Sequence, residues 1–213
     1  MKINLEILEA SYLFDEKEIQ NLNTKKLVPN MMVRRRLTRA SKLAIELISK
    51  INYQNNRIIY GTSYGELLST SNILNAILNN ETISPTDFQN SVYNTAISYT
   101  SIISKNTNEM LTVSSGEDTS LKVLKAGAIK ALDNDELILI CLETINIENI
   151  EDINNCIKYL ESGVALKIKL TQDNPTINFI NFQDKNYPKS IEYLLFIAKN
   201  FDRNKKNIIE VNI

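Results

Sequence analysis

Apolar and polar residues alternate along INLEILEA, residues 3–10, and this period of two predicts a strand near the start of the chain. After a polar connection to Pro29 the period changes. VRRRLTRASKLAIELISKI, residues 33–51, sets Leu37, Ala40, Ala44, Leu47 and Ile48 on one face at helical spacing, which predicts a single amphipathic helix. RIIYGTS then reads as a buried strand and YGELLSTSNILNAILNN as a helix. SPTDFQNSVYNTAISYTSIIS reads as a further helix, opened by Pro85 and Asp87 as start signals.

The second half continues in the same manner. MLTVSS is a strand, DTSLKVLKAGAIKAL a helix and ELILICLE a strand apolar on both faces. EDINNCIKYLES follows as a helix, GVALKIKL and TINFINF as strands, PKSIEYLLFIAKNF as a helix beginning close to Pro188, and NIIEVNI as an edge strand. Strands alternating with helices predict an α/β fold whose sheet is covered on both faces. Five glycines and four prolines mark short turns and leave no long linker, and no segment repeats, so residues 1–213 read as one domain.

Composition narrows the chemistry. With 43% hydrophobic residues the chain has the balance of a soluble globular protein. No stretch approaches the ~18 consecutive apolar residues of a membrane span. MKINLEILEA carries acids where a secretory signal needs an apolar core, so a cytoplasmic location is expected. A net charge of −1 gives no global attraction to nucleic acid or to an anionic membrane, so any basic surface must be local. One local cluster exists: Arg34, Arg35, Arg36, Arg39 and Lys42, either a solvated helix face or a grip for an acidic partner. Cys141 lies in the apolar run LILICL and Cys156 in a helix-like stretch, and neither has a metal-ligand spacing; no metal or cofactor is expected. The chain contains no histidine, which removes the usual general base and every Ser-His or Cys-His pair.

Two turns invite functional readings. GTSYGE, residues 61–66, joins a strand to a helix as a phosphate-binding turn would, but it fits neither GxGxxG nor GxxxxGK[ST] and reads as a plain connection. TVSSGEDTS, residues 112–120, forms a strand-to-helix elbow, the place where many enzymes expose a nucleophile beside helix N-terminal N–H groups. Here the apex carries Glu117 and Asp118. They read either as acids that cap the helix and complement its dipole, or as functional carboxylates. Adjacent carboxylates cannot flank a substrate from opposite sides, so a glycosidase-type pair is excluded. Ser114, Ser115 and Ser120 lack GxSxG and any histidine, and a Ser-Lys pair with Lys122 or Lys125 has no supporting spacing.

The order of ASKLAIEL, RIIYGTSYGEL, SPTDFQNSVYNTAISYTSI and TVSSGEDTS resembles that of β-ketoacyl synthases. The chain is identified as a member of the β-ketoacyl synthase-like N-terminal domain family, similar to the short chain-length-factor proteins of aryl polyene and related lipid or polyketide pathways. The segments RRRLTR, SYGEL, SPTDF and GED carry the likeness, over roughly residues 30–170. The resemblance implies half of a thiolase-like fold, with a mixed sheet covered by helices on both faces. It places Glu117, between Gly116 and Asp118, where active ketosynthases hold a cysteine nucleophile, and this chain has neither that cysteine nor their histidines. Tyr93 stands where the family block often has histidine, while Asn94 matches.

The resemblance therefore implies a non-catalytic subunit that pairs with a full-length, active ketosynthase in fatty acid, polyketide or aryl polyene chain elongation. Phe88, Tyr93 and Asn94 are the implied interface residues, because the elbow strand and the helical block before it lie between subunits in thiolase-like dimers. Arg34, Arg35, Arg36 and Arg39 are the implied docking residues for an acidic acyl carrier protein. Two alternatives stay open: a malonyl-thioester decarboxylase using a buried, protonated Glu117, and a homodimeric scaffold that has lost the pathway.

Overall fold

The computed structural model describes residues 1–147, 159–177 and 187–213. Cys156 and most of the expected EDINNCIKYLES helix and TINFINF strand lie outside the described residues. Among the described residues, strands β1 (Lys2–Asp15), β2 (Arg57–Gly61), β3 (Met110–Val113), β4 (Leu137–Thr144), β5 (Glu161–Thr171) and β6 (Asn207–Asn212) form one mixed sheet in the order β3-β2-β4-β5-β1-β6. β2 runs parallel to β3 and β4, and the β4/β5, β5/β1 and β1/β6 pairs are antiparallel. Eight α-helices accompany it among the described residues: α1 (Thr24–Leu27), α2 (Met31–Arg36), α3 (Arg39–Ser49), α4 (Leu67–Leu78), α5 (Pro85–Asn90), α6 (Thr95–Ser104), α7 (Thr119–Lys130) and α8 (Glu192–Lys199). This is an α/β architecture.

β4 shows how the pleat divides the core. Leu137, Leu139 and Cys141 face a cluster with Val123, Leu124 and Ala128 of α7 and with Leu194 and Ile197 of α8. Ile138, Ile140 and Leu142 face the opposite cluster, with Leu43 and Leu47 of α3 and Ala96 and Ile97 of α6. All eight residues of β4 are buried, which is why its sequence is a run rather than an alternation. Each fully buried Leu or Ile side chain contributes about 1.5–3 kcal/mol. Gly61 sets the distance between sheet and helix: a Cβ there would stand 2.5 Å from Val123 Cγ2, 2.8 Å from Cys141 Sγ and 2.9 Å from Thr119 Cγ2. α7 thus lies directly on β2.

Two predicted helices are each two helices. The periodic stretch at residues 33–51 breaks at Leu37, which is extended (ψ 128°), and Thr38, whose side chain accepts the Ser41 N–H as the N-cap of α3. Leu37 leaves the face shared by Ala40 and Leu47 and joins Val28 and Ile45 in a separate small cluster. The block at residues 84–104 likewise splits, with Ser84 capping α5 and Asn94 at the N-cap position of α6. β5 begins at Glu161, inside the stretch expected to be helical.

The two sheet edges differ. At β6 the Ile208 carbonyl accepts the N–H groups of Thr176 and Ile177 at 2.8 and 2.9 Å. At β3, Glu109 and Val113 accept from Ile58 and Thr62 of the β2 side. Alternate residues of a parallel strand face the same neighbour, so Met110 and Thr112 turn their backbone groups outward.

Candidate functional site

The elbow follows β3 directly. Gly116 has φ +55° and no atom near the position of a Cβ, so the backbone conformation, not crowding, calls for glycine. Gly116–Asp118 form one turn of 3₁₀ helix before α7. Thr119 closes the turn: its hydroxyl accepts the Ser115 N–H at 3.0 Å and donates to the Gly116 carbonyl at 2.7 Å. The two acids do not cap α7. Asp118 occupies the N-cap position without a side-chain capping bond, and Glu117 reaches away to Lys189 Nζ at 2.8 Å. The Glu117 side chain is 68% exposed, and its hydrogen bond and charge raise the pKa of the Lys189 ammonium. Ser120 is buried and its hydroxyl accepts the Tyr193 N–H at 3.2 Å, which ties α7 to α8. The apex therefore presents a solvated ion pair and no nucleophile.

The GTSYGE turn beside it is already occupied by one of the chain's own carboxyl groups. Glu143, at the end of β4, accepts the Ser63 N–H at 2.6 Å, the Tyr64 N–H at 3.3 Å and the Thr62 hydroxyl at 2.9 Å. Burial pushes the Glu143 pKa up, and these donors pull it partly back. Glu66, at the other end of the turn, is buried and accepts the Thr38 hydroxyl at 2.7 Å. Burial raises its pKa to about 7, opposed only by that hydroxyl. The Tyr93 ring packs over Gly65 from outside the turn. Neither carboxylate was singled out from sequence; the one available signal was a charged residue, Glu143, closing the apolar run LILICL.

Along the open edge of β3 runs a groove of about 910 Å3 between the strand and α6, lined by Tyr93, Asn94, Ile97, Ser101, Met110 and Thr112 among others. Two of the three expected interface residues meet here. The third, Phe88, stands on α5 and is 70% exposed. Around it the surface is apolar: Leu68, Leu74, Ile77 and Leu78 of α4, together with Val92 and Ile102, are all more than half exposed. α4 buries only Ser69 and Ala76, and α5 only Asn90.

The arginine cluster is divided by the fold. Arg35 and Arg36 are exposed, and Arg34 donates to the Val28 and Pro29 carbonyls at 2.8 and 3.1 Å. Arg39 turns inward. Its Nε and Nη2 donate to the two oxygens of fully buried Glu161, both at 2.6 Å, and Nη2 also donates to the Ile19 carbonyl at 2.6 Å. The Arg39 guanidinium is thereby engaged by the chain's own acids, Glu161 and, through Nη1 at 3.2 Å, Glu18.

A sequence model of the β-ketoacyl synthase N-terminal domain matches residues 13–192. The chain belongs to the β-ketoacyl synthase N-terminal domain family. Among solved structures it is similar to a chain in the complex of the ketosynthase ApeO with its chain length factor ApeC from Xenorhabdus doucetiae: TM-score 0.68, 20% identity, covering 93% of both chains. It also matches the ishigamide ketosynthase/chain length factor, with TM-score 0.53 and 11% identity over 72% of this chain and 49% of that one. A β-ketoacyl synthase from Burkholderia phymatum gives TM-score 0.53 and 7% identity over 81% and 60%. At these identities the likeness shows the thiolase-like ketosynthase fold. No curated protein matches the chain.

Proposed function

We propose that the chain is a non-catalytic, chain-length-factor-type subunit that pairs with an active β-ketoacyl synthase in acyl-chain elongation. The observation that carries this reading is the elbow: in a chain of the β-ketoacyl synthase family, its apex holds an exposed glutamate paired with Lys189 at 2.8 Å. Two of the similar solved structures are of ketosynthases with chain length factors, which supports a ketosynthase as partner. The open β3 edge, its groove and the apolar surface of α4 and α5 supply a face for that partner, with Phe88, Tyr93 and Asn94 within it. Arg35 and Arg36, with Arg34 beside them, are the cations we assign to docking of an acidic acyl carrier protein.

The decarboxylase alternative requires a buried carboxyl group that stays protonated and donates to a thioester. Glu117 is solvated and faces an ammonium, so the burial on which that alternative depends is not there.

The test is co-expression with an active ketosynthase encoded beside this gene, followed by size-exclusion chromatography with mass determination and an elongation assay. A one-to-one complex with altered product length is expected, and Phe88→Glu abolishes the complex while the chain remains folded. A homodimer that ignores the ketosynthase and leaves its products unchanged overturns the reading in favour of a scaffold. Condensing activity of this chain alone, lost in Glu117→Ala, overturns the non-catalytic assignment.

A further inference from the structure

The turn at residues 62–66 is the stalk from which α4 and α5 project. Those two helices pack chiefly on one another and bury little against the body of the protein. Their placement depends on how the turn is held, and two buried carboxylates hold it. Glu143 grips it from β4 through Thr62, Ser63 and Tyr64. Glu66, the residue immediately before α4, is tied to Thr38, and the Thr38 hydroxyl in turn lies 2.7 Å from Ser41 Oγ and accepts the Ser41 N–H. One polar chain thus runs from the start of α4 to the start of α3.

Among the described residues, no cation contributes to the surroundings of either carboxylate. The groups facing Glu66 are the Thr38 hydroxyl and, from β2, the buried Tyr60 phenol. Those facing Glu143 are Thr62, the Ser63 and Tyr64 N–H groups, the Ser190 hydroxyl, the Tyr60 phenol and the buried Cys141 thiol. An ion pair would be indifferent to pH near neutrality, whereas a buried carboxylate without a cation is most stable with its proton on.

We infer that the buried Glu66 side chain is a proton-linked latch, which holds the α4–α5 arm against the body when Glu66 is protonated and releases it when Glu66 ionises, because the cost of keeping the charge from water exceeds what the single Thr38 hydroxyl returns. The latch regulates the face assigned above to the ketosynthase, and only that consequence rests on the proposed function. Protonation of Glu66 presents the apolar surface of the arm in one fixed orientation; ionisation adds the cost of ordering it to any association. The position of Glu66 one residue before α4 is what couples the proton to the helix.

The latch is tested on the chain alone, without a partner, by hydrogen exchange with mass spectrometry at pH 5 and pH 8, each corrected for intrinsic exchange. With the closed group titrating at about 7 and the open one near the ordinary value of 4.5, opening of residues 67–90 is expected to rise roughly 50- to 100-fold between these pH values. Peptides from β4 and β5, which open only by global unfolding, share the linkage but exchange more slowly than residues 67–90 at both pH values. In Glu66→Gln, which keeps the Thr38 acceptor and cannot ionise, the rise in arm exchange between the two pH values shrinks by about 10-fold or more, what is left being the share of Glu143. Carbon-13 NMR of the glutamate carboxyl groups supplies a readout independent of any variant: one resonance, absent in Glu66→Gln, titrates with a midpoint near 7. Arm exchange in the native chain that is independent of pH, the same pH dependence in Glu66→Gln, or a Glu66 midpoint below 5 overturns the latch. Failure to pair with a ketosynthase leaves all three results unchanged, so it bears on the proposed function alone.

Discussion

Arg39 separates a structural role from a docking role, and Arg39→Met tests the separation. The substitution keeps most of the side-chain bulk and removes the charge. Glu161 has no exposed side-chain surface and loses both guanidinium bonds, each 2.6 Å long, keeping only the Ile19 N–H at 2.7 Å and Asn146 Nδ2 at 2.9 Å. Breaking a buried pair by removing one partner costs about 3–5 kcal/mol. Arg39 itself is 20% exposed and Glu161 retains two donors, which places the loss at the lower end, about 3 kcal/mol. In urea unfolding with a slope of about 2 kcal/mol/M, the midpoint falls by about 1.5 M. Arg39→Met/Glu161→Gln recovers a large part of the loss, because the orphaned charge is gone while the Ile19 N–H keeps an acceptor. Arg35→Glu/Arg36→Glu, by contrast, leaves the midpoint unchanged and weakens binding of the acyl carrier protein. A midpoint shift below 0.5 M for Arg39→Met, or a double variant as unstable as the sum of its two single changes, refutes the assignment of Arg39 to the fold.

Three further outcomes follow from the same coordinates. Glu66→Gln matches the native chain in stability below pH 4.5, where both side chains are neutral, and exceeds it by about 3 kcal/mol above pH 7. The sign is that of a raised acid: the folded state holds its proton more tightly than the unfolded chain, so native stability falls as pH rises from 4.5 through 7, as urea unfolding across that range will register. Gly61→Ala destabilises by about 1–3 kcal/mol, because its Cβ is placed 2.5 Å from Val123 Cγ2 and α7 must move off β2. Glu117→Gln leaves both the thermal midpoint and the product length of the ketosynthase pair unchanged, since it removes only an exposed ion pair; a change in product length would assign Glu117 a function.

Local patterns in the sequence carried most of the sheet. The alternation in INLEILEA is half of β1, ELILICLE is β4 from its second residue, and NIIEVNI is the edge strand β6. What periodicity could not reveal was where capping wins over continuation: the apolar spacing runs through Leu37, but Thr38 satisfies the Ser41 N–H better than a continuous helix would. The arginine cluster looked uniform because charge alone does not show which member meets an acid 122 residues later. The acid that fills the GTSYGE turn lies 80 residues away from Ser63, beyond the reach of any local motif. The elbow was legible as a turn, while the destination of Glu117, Lys189 near the end of the chain, was not.

Packing dictates the conformation of the elbow. α7 rests on β2 at a separation that only Gly61 permits, with Val123 and Thr119 against the space where a Cβ would be. β3 pairs with β2 on the neighbouring side, so the end of β3 and the start of α7 are both fixed by β2 before the connection is considered. Residues 114–118 must reverse direction in that gap, which the left-handed Gly116 and the Thr119 hydroxyl accomplish through the backbone alone. None of these constraints touches the side chain at position 117, whose carboxylate points outward to Lys189. The backbone of this elbow is therefore set by the core and is indifferent to the side chain at position 117, so the proposed loss of a nucleophile there needs no change in the fold.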